Sequence, residues 1–141
     1  MFCQDEDDRR DLFQEITIKL WLGYKSFSGQ SAFTTWMYRV ALNTAITLKR
    51  KKKKAYETQS LHPNIPDYTD DESGVSQKDI DALYLAISQL ESIDRAIILL
   101  YLEEKTYEEI AEIMGITRTH AGVKITRIKK KLEKSLQRIK D

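Results

Sequence analysis

The sequence predicts an all-α protein, two small helical domains joined by a flexible linker, the C-terminal one a four-helix helix-turn-helix domain. Three observations predict it. Apolar residues recur at steps of three and four along most of the chain, the period of a helix with one buried face. Glycine and proline are scarce, 5 and 2 among 141 residues, too few for the turns of an all-β fold. Residues 55–78 break the period and collect Pro63, Pro66, Gly74 and the acidic run Asp70-Asp71-Glu72, which marks them as a linker. Fully extended, such a linker reaches roughly 80 Å. The chain thus divides into residues 1–54, 55–78 and 79–141.

In the N-terminal unit, residues 8–22 place Leu12, Phe13, Ile16, Leu20 and Trp21 on one helical face, and Gly23 ends the pattern. Phe27 to Ser31 reads as a loop, with Ser31 suited to cap a second helix. That helix carries Phe33, Trp36, Met37, Val40, Ala41 and Leu48 on its inner side and runs into the basic stretch Lys49 to Lys54. Two helices enclose little core, so this unit reads as short. In the C-terminal unit, residues 79–90 turn Ile80, Leu83, Tyr84, Ile87 and Leu90 inward. A helix after Ser92 buries Ile97, Ile98, Tyr101 and Leu102. Thr106 and Glu109 have the spacing of a capping box, and open a third helix that turns Ile110, Ala111 and Met114 to the core. Gly115 supplies a left-handed turn residue and Thr117 a cap for a fourth helix ending near Ile139.

Helix, tight glycine turn, helix is the pattern of a helix-turn-helix, whose second helix enters the DNA major groove. At 100° per residue, Ala121, Ile125, Ile128, Leu132, Leu136 and Ile139 form a buried stripe. Thr119, His120, Val123, Arg127 and Lys130 lie opposite, flanked by Lys124 and Thr126. Arg127 and Lys124 suit phosphates or guanine edges, Thr119 and His120 are short donors near the helix start, and Val123 suits a thymine methyl. An amphipathic helix with a merely solvated outer face would carry the same stripe, but not the preceding turn and caps.

Charge is segregated behind a net charge of +1. Residues 1–54 carry +5, 55–78 carry −4, 79–114 carry −7 and 115–141 carry +7. Two basic blocks around an acidic middle fit two contacts with a polyanion, although solvated helix faces would also look so. Lys49 to Lys54 alone could be a helix end favoured by the dipole. Trp36 and Tyr38 beside Arg39 and Asn43 could stack on unpaired bases, but Trp36 reads first as core.

Several classes are excluded. Cys3 is the sole cysteine, so neither an internal disulfide nor a cysteine-rich zinc site can form. His62 and His120 lack ligand spacing, no Gly-rich phosphate loop occurs, and the linker carboxylates lack the rigid geometry of acid–base catalysis. The expectation is a non-enzyme without cofactor or metal. The acidic start is unlike a signal peptide, and no apolar run approaches the roughly 18 residues of a membrane span, so a cytoplasmic protein is expected.

Three stretches resemble one family, the extracytoplasmic-function group of sigma factors. Asp8-Arg9-Arg10-Asp11-Leu12-Phe13-Gln14-Glu15 resembles the D-x-x-D-L-x-Q-E stretch of region 2, which docks on the polymerase clamp helices. Phe27-Ser28-Gly29-Gln30 with Phe33 to Asn43 is similar to the loop and helix that open and read the minus-10 element. Tyr107 to Leu132 is similar to the region 4 helix-turn-helix that binds the minus-35 element, and Val123 to Lys129 most resembles members from Bacteroidetes. The resemblance implies minus-35 contacts from Thr119, His120, Val123, Lys124, Arg127 and Lys130. It implies minus-10 contacts from Ser28, Gly29, Gln30, Arg39, Asn43, Lys49 and Arg50. It implies polymerase contacts from Asp8, Asp11, Leu12, Gln14 and Glu15. Its partners are core RNA polymerase, promoter DNA and an anti-sigma factor, with no membrane insertion; the acidic linker would run through the polymerase's basic channels as a strand mimic.

The chain departs from the family pattern at Thr47, where Asp is usual, and at Gly122, where Lys is common. The family also places one or two further helices before the D-x-x-D-L stretch, so an exposed apolar face including Leu12, Ile16 and Leu20 is expected, making the unit marginal and in need of a second copy or polymerase. Two rivals remain: a stand-alone helix-turn-helix regulator that binds an operator without polymerase, and a helical adaptor with no DNA role.

Overall fold

A computed structural model of the chain describes residues 5–29, 32–56 and 76–140. Among the described residues all regular structure is helical: α1 (Glu6–Gly23), a single 3-10 turn (Tyr24–Ser26), α2 (Phe33–Tyr56), α3 (Gln77–Ser88), α4 (Ser92–Leu102), α5 (Tyr107–Met114) and α6 (Arg118–Lys140). The expected cap Ser31, the loop residue Gln30 and linker residues 57–75 lie outside the described residues. Regular helix takes in both margins of the expected linker, since α2 runs to Tyr56 and Ser76 caps α3 by accepting from the Asp79 amide.

The local starts follow side-chain chemistry. Asp5 caps α1 by accepting from the Asp8 amide at 2.7 Å, and Glu6, Asp7 and Asp8 place negative charge at the positive end of the dipole. Among the described residues helix α1 packs against α2 and the 3-10 turn that follows it, and buries no residue completely. Leu12, Ile16 and Leu20, at steps of four, are half-buried. Phe13 and Trp21, expected on the inner face, are instead exposed, Trp21 by 82%. One neighbouring helix covers only a narrow stripe, and residues 13 and 21 lie a further 100° round. Gly23 allows a close approach to α2, since a Cβ there would stand 3.1 Å from the indole of Trp36.

Helix α2 is packed on two sides, which corrects its expected inner face. Phe33 and Met37 are exposed, while Thr35, Thr44, Ala45 and Ile46 are buried. One side meets α1. On the other, Tyr38 and Leu42 pack against the core of the C-terminal unit, and α2 contacts both α4 and α5. The buried Thr44 hydroxyl donates to the Val40 carbonyl at 2.7 Å. Trp36 is half-buried in an aromatic group with Phe27 and Phe33, at centroid distances of 5.3 and 5.5 Å.

The C-terminal unit wraps α3, α4 and α5 around α6. Its core comprises Ala86 and Ile87 of α3, Ile97, Ile98 and Leu100 of α4, Ile110, Ala111 and Ile113 of α5, and Ala121, Ile125, Ile128 and Leu132 of α6. Ile113 joins this core although the periodicity did not single it out. Leu102 and Ile139, expected inside, are exposed, because α4 and α6 run past the packed layer at those ends. Arg95 is 1% exposed yet charged. Its guanidinium donates to the carbonyls of Ile87, Ser88 and Leu90, so it closes the C-terminal end of α3 and fixes the α3–α4 corner. Burial lowers its pKa from the ordinary arginine value. Replacing Arg95 with Ala strands those carbonyls and should cost about 3 kcal/mol of stability, measured by urea denaturation; a loss near zero would show that water serves the corner equally well.

Candidate nucleic-acid interface

The geometry of the C-terminal site begins at the caps of α5. Thr106 accepts from the Glu109 amide at 3.1 Å while the Glu109 carboxylate accepts from the Thr106 amide at 3.2 Å, the reciprocal pair the sequence spacing announced. Gly115 then turns with φ of 69°, and the Ile116 amide donates back to the Ala111 carbonyl at 3.0 Å. Left-handed backbone of this kind favours glycine because it has no Cβ. Thr117 caps α6 by accepting from the His120 amide at 3.1 Å. Arg118 reaches across the turn to Glu108 at 3.0 Å. Gly122 faces Tyr107, where an added Cβ would meet the ring at 3.6 Å.

These constraints present one face of α6. Ala121 and Ile125 are completely buried, whereas Thr119, His120, Val123, Thr126, Arg127 and Lys130 are exposed, Val123 by 41%. Lys124 differs from its neighbours: it is half-buried, and its ammonium stands 3.4 Å from the carboxylate of Asp94. Lys131, two turns on, reaches the other oxygen of the same carboxylate at 3.4 Å. Lys129 donates to the Tyr101 hydroxyl at 2.7 Å and lies 4.4 Å from that ring's centroid; the hydrogen bond raises its pKa above the ordinary lysine value. Sequence reasoning missed Asp94, Tyr101 and Arg118. The partners of Asp94 and Tyr101 lie some thirty positions away in the chain, and no periodicity signals such pairs.

In the N-terminal unit, Ser28 and Gly29 are exposed, Gly29 with φ of 73°, and Gln30 lies outside the described residues. Asn43 and Arg50 are exposed and Lys49 is half-buried. Arg39 is engaged: its Nε donates to the Glu112 carbonyl at 2.9 Å and its second nitrogen to the same oxygen. The guanidinium thus closes the negative end of α5 from a different unit. Tyr38 donates to Glu103 at 2.8 Å, which raises the phenol's pKa, and Lys105 sits 4.8 Å from the Tyr38 ring. Thr35 donates to Glu112 at 3.5 Å. Arg39 and Asn43 line a cleft of about 230 Å³ with Leu42, Ile46, Ile113, Met114 and Gly115. On α1, Asp11, Gln14 and Glu15 are exposed, while Asp8 and Leu12 are half-buried.

The comparisons agree with this layout. The model for Sigma-70 region 2 matches residues 1–55 and that for Sigma-70 region 4 matches residues 80–132. The chain is 30% identical over 143 residues to the ECF RNA polymerase sigma-E factor of Haemophilus influenzae, covering 93% of this chain and 76% of that protein. The chain belongs to the extracytoplasmic-function group of the sigma-70 family. This sigma-70 family chain is also 30% identical over 149 residues to the RNA polymerase sigma-H factor of Pseudomonas aeruginosa, covering 96% of this chain and 77% of that one. Its fold matches the sigma factor RpoE of Bartonella quintana, solved with the anti-sigma factor NepR, at a TM-score of 0.75 and 19% identity, over 96% of this chain and 85% of that chain.

Among the described residues no helix is long and apolar enough to cross a membrane, and no cluster of His, Cys, Asp or Glu could hold a metal ion. The cap that orients α5 carries a pH signature. Its hydrogen bonds from Thr106 hold the Glu109 carboxyl below the usual carboxylate range. A carboxyl depressed on folding contributes stability that is present above its unfolded pKa and is lost as pH falls through the folded value. Glu109→Gln should therefore narrow the fall in melting temperature between about pH 6 and about pH 3; an unchanged acid limb would remove the capping box from the stability of the turn.

Proposed function

We propose that this chain recruits core RNA polymerase to promoters, reads the minus-35 element with α6 and holds the minus-10 element with the loop after α1 and the flank of α2. It acts as a binding protein in the cytoplasm, without chemistry of its own. The observation that carries the reading is the exposed row Thr119, His120, Val123, Arg127 and Lys130 on a helix fixed behind the Gly115 turn. In this reading Arg127 pairs with a guanine edge or phosphate, Val123 meets a thymine methyl, and Lys130 contacts phosphate. Lys124 borders that row. Residues 1–54, 55–78 and 79–141 serve as polymerase-and-minus-10 unit, linker and minus-35 unit.

Polymerase docking is assigned to the outward face of α1. Asp11, Gln14 and Glu15 share that bearing with Ile18 and Leu22, and Ile18, Trp21 and Leu22 are exposed. Carboxylates beside exposed apolar groups make a surface suited to a helical, basic partner. Asp8 extends it toward the start of the helix, and Leu12 borders it on the flank that packs toward α2.

The two promoter elements lie about 25 base pairs apart, roughly 85 Å along the duplex. Arg39 meanwhile touches Glu112 of the helix-turn-helix. Engagement of both elements therefore requires α2 to leave α5, with Arg39 and Asn43 released from the shared cleft to meet DNA. In-vitro transcription with core polymerase tests the function. Arg127→Ala should lower promoter-directed synthesis about ten- to a hundred-fold, and Asp11→Ala with Gln14→Ala should weaken retention on polymerase. Tight operator binding without polymerase, with no transcription when polymerase is added, would instead make the chain a stand-alone regulator. Fluorophores on α2 and α6 should move from adjacent to far apart on forming the promoter complex; an unchanged separation would rule out the opening step.

A further inference from the structure

We infer that Asp94 is a positioning residue that withholds two cations of α6 from the DNA backbone, and so sets how strongly the helix binds DNA of any sequence relative to its own site. The inference rests on the assignment of α6 as the DNA-facing helix. Asp94 sits in the first turn of α4 and is 7% exposed. Its two oxygens serve two lysines at once, Lys124 at 3.4 Å and Lys131 at 3.4 Å. Residues seven apart on a helix share nearly one bearing and stand about 10.5 Å apart along the axis. Both ammonium groups therefore bend along α6 toward a carboxylate held between them by α4.

That bearing borders the outward row. On the helical wheel Lys124 and Lys131 lie about 40–60° from Arg127, so an unrestrained lysine there would swing to the phosphates that flank the groove. Pairing with Asp94 reduces the combined charge of the three groups to +1. The carboxylate has little access to water and Lys124 is half-buried beside it, so the attraction between them is screened less than at an open surface. Lys131 is exposed, and its pairing is the weaker. Phosphate contacts supply affinity without sequence information, whereas base-edge contacts discriminate. Restraining two lysines lowers the first while leaving Val123 and Arg127 to provide the second. The segregated +7 of residues 115–141 thus overstates the charge that DNA meets.

The test measures binding of the full chain to a random-sequence duplex and to promoter DNA across a salt series. Each cation added to the phosphate contact steepens the logarithmic salt slope by about 0.9 and tightens binding about eight-fold at 0.1 M salt. Asp94→Asn should therefore steepen the slope by about 0.9 to 1.8, tighten random-duplex binding about eight- to sixty-fold and lower the promoter-to-random ratio. Adding Lys124→Gln and Lys131→Gln to that variant should return the slope to the starting value. An unchanged or shallower slope in a folded Asp94→Asn variant overturns the proposal. Should that variant melt, Lys124→Gln in the otherwise unaltered chain decides: it should move the slope by less than half as much as Lys130→Gln. Equal effects of the two overturn the withholding role alone. If Arg127→Gln and Lys130→Gln both leave the slope unmoved, α6 does not meet DNA and the proposed function falls with it.

Discussion

Burial of one aliphatic stripe on α6 is the constraint on which the rest of the molecule depends. Ala121, Ile125, Ile128 and Leu132 span only about 60° of the helix, and α3, α4 and α5 all close on them. Each Å² of apolar surface taken from water there contributes roughly 25 cal/mol. It also fixes rotation: once the stripe is inside, Val123 and Arg127 must be outside. The Gly115 turn, the Thr117 cap and the Arg118–Glu108 pair then fix where α6 starts. Arg95 performs the same service one corner earlier, using a buried charge to hold α3 and α4 in register.

The contact between the two units has a different character. Beside the apolar Tyr38, Leu42 and Ile46 it carries hydrogen bonds and a cation over a ring: Arg39 on the Glu112 carbonyl, Tyr38 on Glu103, Thr35 on Glu112 and Lys105 on Tyr38. Each such bond contributes a net 0.5–1.5 kcal/mol, or about 1.5–3 where a charge takes part, because water offers the same partners when the contact opens. In the proposed promoter complex the same α2 face, with Arg39 and Asn43, would turn from α5 to DNA.

Helix α1 is the complementary case, a helix with too little to pack against. Among the described residues α2 takes Leu12, Ile16 and Leu20 partly out of water, and Phe13, Ile18, Trp21 and Leu22 remain in it. An apolar surface of this kind beside Asp11, Gln14 and Glu15 has the character of an interaction site.

The sequence by itself determined the helices of the C-terminal unit, the capping box at Thr106, the left-handed turn at Gly115 and the rotation of α6. All of these are local: caps act within three residues and periodicity within a few turns, so the information lies next to where it is used. It determined the outer row of α6 for the same reason. Only the tertiary structure decided that Phe13 and Trp21 stay exposed, that α2 has two packed sides, that Arg39 closes the end of α5, and that Lys124 and Lys131 share Asp94. Those outcomes depend on which helix arrives opposite which, across separations of about thirty to seventy residues, and a side chain's spacing along its own helix carries no record of a partner so far away in the chain.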